Sequence, residues 1–218
     1  MKTLILDASY AQKVALLENG KLICEKISTG AKADIFMTLV DEVLKSAKID
    51  IANIDEICVN VGPGSFTGIR VAVSVAKGLG ITKNVKYKQF DSFDYFDKKQ
   101  NIVLVGFSNY VYVKMANGKE DCVLISDLDK KLSYVVCDQK LFEKLNINGF
   151  KVKLENQLSF DKIDAIINGK NVSISEIRPL YLRASQAEIQ RENKLKAPDM
   201  ILLSLDDENH NQVIFFDC

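Results

Sequence analysis

The stretch with the clearest potential for chemistry is a glycine-rich loop, VGPGSFTGIR, that leads directly into a helical pattern. Backbone N–H groups at a helix N-terminus are unpaired, so a glycine loop in this place can hold a phosphate. A Walker A loop, however, has about four residues between its glycines and then Lys-Ser or Lys-Thr. Five residues separate Gly62 from Gly68, and Ile69-Arg70 follows. The dinucleotide pattern GxGxxG also fails, because Gly64 and Gly68 lie one residue too far apart.

The same loop fits a tight strand-to-helix turn that holds no phosphate. In this interpretation Gly62-Pro63-Gly64 makes the turn, and Gly68 completes it within the helix. Ser65 or Thr67 caps the helix by accepting hydrogen bonds from its free N–H groups. We favour the turn over phosphate binding, because no lysine follows the loop where one would reach a phosphate.

The remaining sequence offers few side chains for catalysis or metal binding. His210 is the only histidine and lies in the polar segment DDENHNQ, so neither a catalytic triad nor a His-rich metal site is expected. None of the five cysteines forms a CxxC pair, and three lie in apolar runs. They are typical of reduced core cysteines in a cytoplasmic protein. We expect no metal and no cofactor.

The composition excludes several functional classes. The net charge of the 218 residues is +0, so no general electrostatic attraction to nucleic acid or anionic membrane is expected. Any contact with RNA would need basic surface from a partner. The start, MKTLILDAS, is expected to be a strand and not a signal peptide, because Asp7 ends a short apolar run. No run is long enough to span a bilayer.

The order of predicted elements indicates an internal duplication. Three strands joined through Asn19-Gly20 are followed by a helix, a strand and the helix after the glycine loop. A second three-strand pattern with Asn117-Gly118 follows, and then a strand, a helix and a strand. This order predicts an α/β fold of the actin-like, sugar-kinase-like ATPase type, with mixed sheets flanked by helices. The predicted subdomains are residues 1–98 and a shorter second one, 99–218, with a helix at 159–167 and a tail hairpin over 201–216.

Both predicted helices of the first half are apolar over an unusually wide face. On the second, Arg70, Ser74 and Lys77 form one narrow polar stripe among apolar and small residues. Two such helices either form half of a four-helix interface with another subunit or pack on each other and on their sheet. We expect Ala76 to face a partner and Val73 and Leu79 to face the core.

The segment GPGSFTGIRVAVSVAKGLG, from Gly62 to Gly80, resembles the most characteristic stretch of the TsaB family, formerly called YeaZ. RPLYLR, Arg178 to Arg183, resembles a later segment of that family, and LILDAS…VALLENG resembles its opening strands. The resemblance is strong over residues 1–98 and weak between Gln100 and Ile177. It implies an actin-like ATPase fold that has lost catalysis.

The resemblance also implies partners. Members of the family pair with a homologous subunit, TsaD, and with a small ATPase, TsaE, to place a threonylcarbamoyl group on the adenosine beside the anticodon of certain tRNAs. The expected role is a scaffold that activates TsaD and meets tRNA only through the complex. A homodimer through the same surface is also possible. The implied partner-binding residues are Ile35, Phe36, Leu39, Val40, Arg70, Ser74, Ala76 and Lys77.

In active members of this fold, the turn after the first strand of each half wraps phosphates. Asp7 and Ser9 are therefore candidates for a vestigial nucleotide site, but the second turn carries Phe107 and no carboxylate. The family's usual histidine near the first helix is replaced in the segment Lys32-Ala33-Asp34, and its Asp-Ala-Arg turn is replaced by Phe107-Ser108-Asn109. Two competing hypotheses are a free-standing kinase- or peptidase-like enzyme and a plain homodimeric protein.

Overall fold

Two mixed β-sheets form the framework of the protein. The computed structural model of the chain describes residues 1–28, 35–81, 85–155 and 170–182. The first sheet contains β1 (Lys2–Asp7), β2 (Gln12–Glu18), β3 (Lys21–Ser28), β4 (Glu56–Asn60) and β5 (Lys86–Phe90). The second contains β6 (Asn101–Val105), β7 (Tyr110–Lys114), β8 (Glu120–Leu124), β9 (Ser133–Val136) and β10 (Lys151–Leu154). A further strand, β11 (Lys170–Val172), returns to the first sheet beside β5.

The two sheets repeat one topology. The strand order is β5-β4-β1-β2-β3 in the first sheet and β10-β9-β6-β7-β8 in the second. In each sheet three consecutive strands pair antiparallel, and the next two add in parallel on the other side. This repeated order confirms the duplication predicted from the sequence.

The register of the first hairpin is set by its turn. Asn19 and Gly20 both have positive φ, 51° and 78°, as a two-residue loop between twisted antiparallel strands requires. Glu18 consequently pairs with Lys21. The period of two along β1 and β2 then distributes apolar side chains to both faces of the sheet, and both faces are covered.

Three helices flank the sheets in the described part of the chain: α1 (Phe36–Ala47), α2 (Phe66–Gly80) and α3 (Gln139–Ile147). Short 3₁₀ turns lie at Ile51–Asn53 and Ile125–Asp127. Both α1 and α2 pack on one face of the first sheet, while α3 packs beside β9 and β10. Asp138 caps α3 by accepting a hydrogen bond from the N–H of Leu141 at 2.7 Å.

The segment between the sheets is itself part of the core. Phe93, Tyr95 and Phe96 are buried among side chains from both sheets, including Ile5 of β1 and Leu104 of β6. The segment that connects the two halves therefore also contributes buried side chains to the core. The subdomain limits 1–98 and 99–218 remain a prediction.

Strands β5 and β11 are not predicted from the sequence, and two predicted elements lie where the structure describes no residues. The lysines of β5 alternate with Tyr87 and Gln89, so the strand lacks the regular alternation of apolar and polar residues that would predict it. The predicted helix at 159–167 and the tail hairpin over 201–216 lie outside the described residues. Within the described ranges, no helix is long and apolar enough to cross a bilayer.

Candidate functional site

The candidate site lies at the carboxyl ends of the parallel strands β1, β4 and β5, where open α/β sheets place their ligands. Asp7 ends β1, Asn60 ends β4, and Ser92 follows β5. Together with Ser9 they form a buried polar network. Asn60 Nδ2 donates to Ser9 Oγ at 3.3 Å and to Ser92 Oγ at 3.2 Å, so the network links the ends of all three strands.

Both oxygens of the Asp7 carboxylate are occupied by groups of the protein. Oδ1 accepts hydrogen bonds from the backbone N–H of Ser9 at 2.8 Å and from Ser9 Oγ at 2.7 Å. Oδ2 accepts one from the Tyr95 hydroxyl at 2.6 Å and lies 3.0 Å from Lys13 Nζ. Lys13, Tyr95 and Asp7 are all buried, so this is an internal ion pair with its hydrogen bonds completed.

The electrostatics keep Asp7 ionised. Burial raises the pKa of its carboxyl. The combined effect of Lys13, Tyr95 and Ser9 lowers the pKa by more than burial raises it, so the pKa lies below its ordinary value. The Tyr95 pKa is raised well above its ordinary value, because burial and the adjacent Asp7 both oppose a phenolate. Lys13 Nζ also lies 4.1 Å from the centre of the Tyr95 ring. Asp7 and Lys13 form the ion pair, and the neutral Tyr95 hydroxyl donates a hydrogen bond to Asp7.

The glycine loop packs directly on the turn that follows β1. A Cβ atom at Gly64 would lie 2.5 Å from the Ser9 carbonyl oxygen, and one at Gly68 would lie 1.9 Å from the Ala8 carbonyl oxygen. The Ser65 N–H donates to the Ser9 carbonyl at 2.6 Å. Glycine at these two positions therefore allows backbone to meet backbone.

The turn interpretation of the loop is confirmed in its capping residue. Ser65 Oγ accepts a hydrogen bond from the Gly68 N–H at 3.2 Å and caps α2, whereas Thr67 lies exposed. Gly62 has a φ of 107°, precedes a cis peptide bond to Pro63, and donates its N–H to Asn60 Oδ1 at 2.8 Å. The loop is thus tied to the same buried network as Asp7.

The arrangement packs two backbone segments against each other and buries the Asp7 carboxylate. The glycine loop covers the turn at Ala8-Ser9, and Asp7 is directed into the protein. Among the described residues, no three His, Cys, Asp or Glu side chains are grouped to hold a metal ion. The corresponding turn of the second half carries Phe107 with 59% of its surface exposed and Ser108 at a φ of 59°.

Four residues predicted to bind a partner face the protein's own core, so that part of the prediction is wrong. Phe36, Leu39 and Val40 of α1 and Ala76 of α2 are buried in the cluster between the helices and the first sheet. Apolar residues at helical spacing mark the side that faces the sheet, and here that side belongs to the same chain. Val73 is buried as predicted, whereas Leu79 is half-buried.

The other predicted partner-binding residues remain at the surface. Arg70 and Ser74 are exposed on α2, and Ile35 and Lys77 are half-buried. The exposed side of α1 is mostly polar, with Asp41 and Lys45 paired in one turn. Partner binding through Ile35, Arg70, Ser74 and Lys77 stays a prediction.

Sequence reasoning missed an exposed cluster that joins the two motifs. Arg70 Nε donates to the Tyr181 hydroxyl at 2.8 Å, and its Cζ lies 3.8 Å from the centre of the Phe66 ring. The rings of Phe66 and Tyr181 are 5.2 Å apart. We call these three residues the Arg70 cluster. The Leu180 N–H donates to the Val61 carbonyl at 2.7 Å and holds the RPLYLR segment beside the loop.

The chain is similar to known proteins in sequence and in fold. The family model for TsaD, described as tRNA N6-adenosine threonylcarbamoyltransferase, matches residues 26–125. The chain is 35% identical over 78 residues to "tRNA threonylcarbamoyladenosine biosynthesis protein TsaB" of Haemophilus influenzae, covering 35% of this chain and 33% of that one. A protein of the same name from Buchnera aphidicola subsp. Schizaphis graminum is 25% identical over 179 residues, 71% of this chain and 79% of the relative.

These matches support the resemblance of the chain to the TsaB (YeaZ) family. Two of the curated TsaB relatives are matched over only 33% and 23% of their own lengths. A solved structure of YeaZ from Pseudomonas aeruginosa superposes with a TM-score of 0.67 at 18% identity, covering 83% of this chain and 99% of that one. A second Pseudomonas aeruginosa structure, described as having similarity to peptidase YEAZ, gives the same TM-score over 84% of the chain. The predicted actin-like, sugar-kinase-like fold is confirmed.

Proposed function

We propose that this chain is a non-catalytic partner subunit that pairs with a TsaD-type subunit, together with a TsaE-type ATPase, in the formation of threonylcarbamoyladenosine in tRNA. The names of its TsaB relatives place those proteins in this biosynthesis. The observation that carries the non-catalytic role is the occupied Asp7 carboxylate, whose oxygens contact Lys13, Tyr95 and Ser9.

The closed turn supports a scaffold over an ATPase. Phosphoryl transfer needs oxygen ligands for a metal ion and backbone N–H groups open to the phosphates. In this chain the turn at Ala8-Ser9 lies against Gly64 and Gly68, and Asp7 forms an internal ion pair. The polar network that would meet a nucleotide instead fixes the position of the loop and of the first turn of α2.

The exposed side of α2 is the surface we propose for partner binding. It carries Arg70 and Ser74, with Lys77 half-buried beside them, while its buried side is fixed by Val73 and Ala76. Because the buried side of α2 is packed in the core, the backbone that carries its exposed side chains is already fixed, and this reduces the entropy lost on association. A net charge of +0 is consistent with tRNA contact only through the complex. The cytoplasmic location that we propose follows from the proposed role in tRNA modification.

Gel filtration with light scattering tests this proposal. The chain is measured alone, mixed with the TsaD-type subunit of the same cell, and mixed with that subunit, the TsaE-type ATPase and ATP. A mixed species that forms at the expense of any homodimer is the expected result. Modified adenosine in tRNA should then require this chain, the TsaD-type subunit and threonylcarbamoyl-AMP together.

A matched pair of variants locates the surface. Ser74→Arg, on the exposed side of α2, should abolish the mixed species, because so large a side chain cannot be accommodated between closely packed helices. Asn146→Arg, at an exposed position of α3, should leave the mixed species intact. A homodimer that persists without any mixed species would favour a self-associating protein. ATP or peptide turnover by the chain alone would favour a free-standing enzyme.

A further inference from the structure

The Arg70 cluster holds an exposed guanidinium in one orientation. The hydroxyl of Tyr181 accepts from Nε on one side, and the ring of Phe66 lies beneath Cζ. Tyr181 and Phe66 nevertheless remain 45% and 40% exposed. A surface arginine ordinarily samples many rotamers, whereas a cation stacked on one ring and hydrogen-bonded to another is already ordered.

The ordered guanidinium leaves its outer edge available. The Nε–H bond is used by Tyr181, and within the described part of the chain the Nη groups of Arg70 contact no carboxylate. Two parallel N–H bonds from a guanidinium match the two oxygens of a carboxylate. The Nη groups of Arg70 can therefore donate two parallel hydrogen bonds to an anion, and the already ordered side chain loses little entropy when the anion binds.

The charge of α2 indicates the character of the binding partner. Its residues include the cations Arg70 and Lys77 and no acidic residue. On α1, by contrast, Asp41 is paired with Lys45. A protein surface that covers α2 must supply the negative charge itself, and ordered arginine and tyrosine side chains are the residue types that most often dominate binding energy at such surfaces.

We propose that Arg70 binds a carboxylate side chain of the TsaD-type subunit, and that Tyr181 and Phe66 are positioning residues for this contact. The inference rests on the proposed function, since it names the chemistry of that interface. It also gives a role to the RPLYLR segment, which the Leu180–Val61 hydrogen bond holds beside α2. The two sequence motifs then act as one site.

Calorimetric titration of the full chain with the TsaD-type subunit tests the proposal. Arg70→Lys keeps the charge and removes the fork, and it should raise the Kd by about tenfold or more. Tyr181→Phe keeps the ring and removes the acceptor of the Nε–H bond, and it should raise the Kd by about threefold to tenfold. Because Tyr181 acts through Arg70, the double variant should bind no more weakly than Arg70→Lys alone.

Two controls separate positioning from general damage. Tyr134→Phe removes a hydroxyl bonded to the Asp129 carbonyl in the second half, and it should leave the Kd unchanged. The Nε–H resonance of Arg70, followed by NMR in the free chain, should exchange slowly with water in the wild type. In Tyr181→Phe it should exchange rapidly, while the unfolding midpoint stays the same.

The outcomes distinguish this inference from the proposed function. A wild-type complex that Arg70→Lys and Tyr181→Phe leave equally tight overturns the inference alone. Absence of any complex overturns both. Displacement of the subunit by inorganic phosphate or ATP, together with a shift of the Arg70 Nε–H resonance, overturns the inference in favour of a small-anion site.

Discussion

The Nζ atom of Lys13 lies 3.0 Å from Oδ2 of Asp7, and the two side chains are 2% and 0% exposed. The pair lies on β1 and β2, on either side of the turn that contains Ser9. Replacing Lys13 by Met should lower the free energy of unfolding by about 3–5 kcal/mol, because an unpaired carboxylate would stay buried. Urea denaturation measures this change.

The exposed pair Lys45–Asp41 provides the control for that experiment. Lys45→Met should change the free energy of unfolding by less than about 0.5 kcal/mol, because water screens a surface ion pair. If Lys13→Met were as mild as Lys45→Met, the buried pair would not be the stabilising contact that its geometry indicates.

Substitutions of glycine should separate close backbone packing from helix propensity. Gly68→Ala places a Cβ atom 1.9 Å from the Ala8 carbonyl oxygen, and it should destabilise the protein by about 1–3 kcal/mol. Gly78→Ala meets no atom within 4 Å and should stabilise it by about 0.5–1 kcal/mol. Thermal unfolding of the two variants checks both signs, and equal midpoints would argue against the close contact of loop and turn.

Charge on the two sides of α2 should have opposite consequences. Ala76→Arg introduces a cation into the core cluster, and it should prevent folding, as seen by loss of the circular dichroism of the native state. Ser74→Arg, two residues earlier on the exposed side, should leave that spectrum unchanged. A folded Ala76→Arg protein would mean that the rotation of α2 differs from the one described.

The pH dependence of stability should include a contribution from Asp91. Burial and the neighbouring Asp94 raise the pKa of Asp91 to about 6, while Lys114 acts in the opposite direction. The folded state therefore holds a proton more tightly than the unfolded state, whose carboxyl has its ordinary pKa near 3.8. Stability from this group should be greatest below pH 3.8 and fall by up to about 3 kcal/mol as the pH rises from there through 6.

Asp91→Asn isolates this contribution. The amide oxygen can still accept the Phe93 N–H, which Asp91 Oδ1 accepts at 2.7 Å, but it does not ionise. The variant should gain stability relative to the wild type between pH 4 and pH 7. Asp7 behaves oppositely, since its lowered pKa gives stability that is lost only as the pH falls below about 4. A constant difference between variant and wild type across this range would contradict the raised pKa of Asp91.

The local patterns of the sequence predict most of the first half. Asn19-Gly20 fixes a hairpin, and Ser65 before a helical pattern fixes a cap, because both depend on neighbouring residues. The rotation of α2 is different: its residues are apolar or small on nearly every side, so the sequence cannot distinguish the side that faces the sheet. Ala76 was misplaced for this reason. The Tyr95 and Lys13 partners of Asp7, and the meeting of Arg70 with Tyr181, depend on contacts between distant residues that no local pattern contains.

Strand β11 adds to the first sheet only after the whole second sheet has been passed in the chain. Lys170–Val172 pairs antiparallel with β5, and Ile177, a few residues later, is buried against the helices of the first half. During synthesis on the ribosome, the first half therefore emerges with its β5 edge unpaired and part of its core uncovered. Its assembly finishes last, although its sequence comes first. The nascent chain must keep this edge from pairing with another copy until residue 172 has left the exit tunnel.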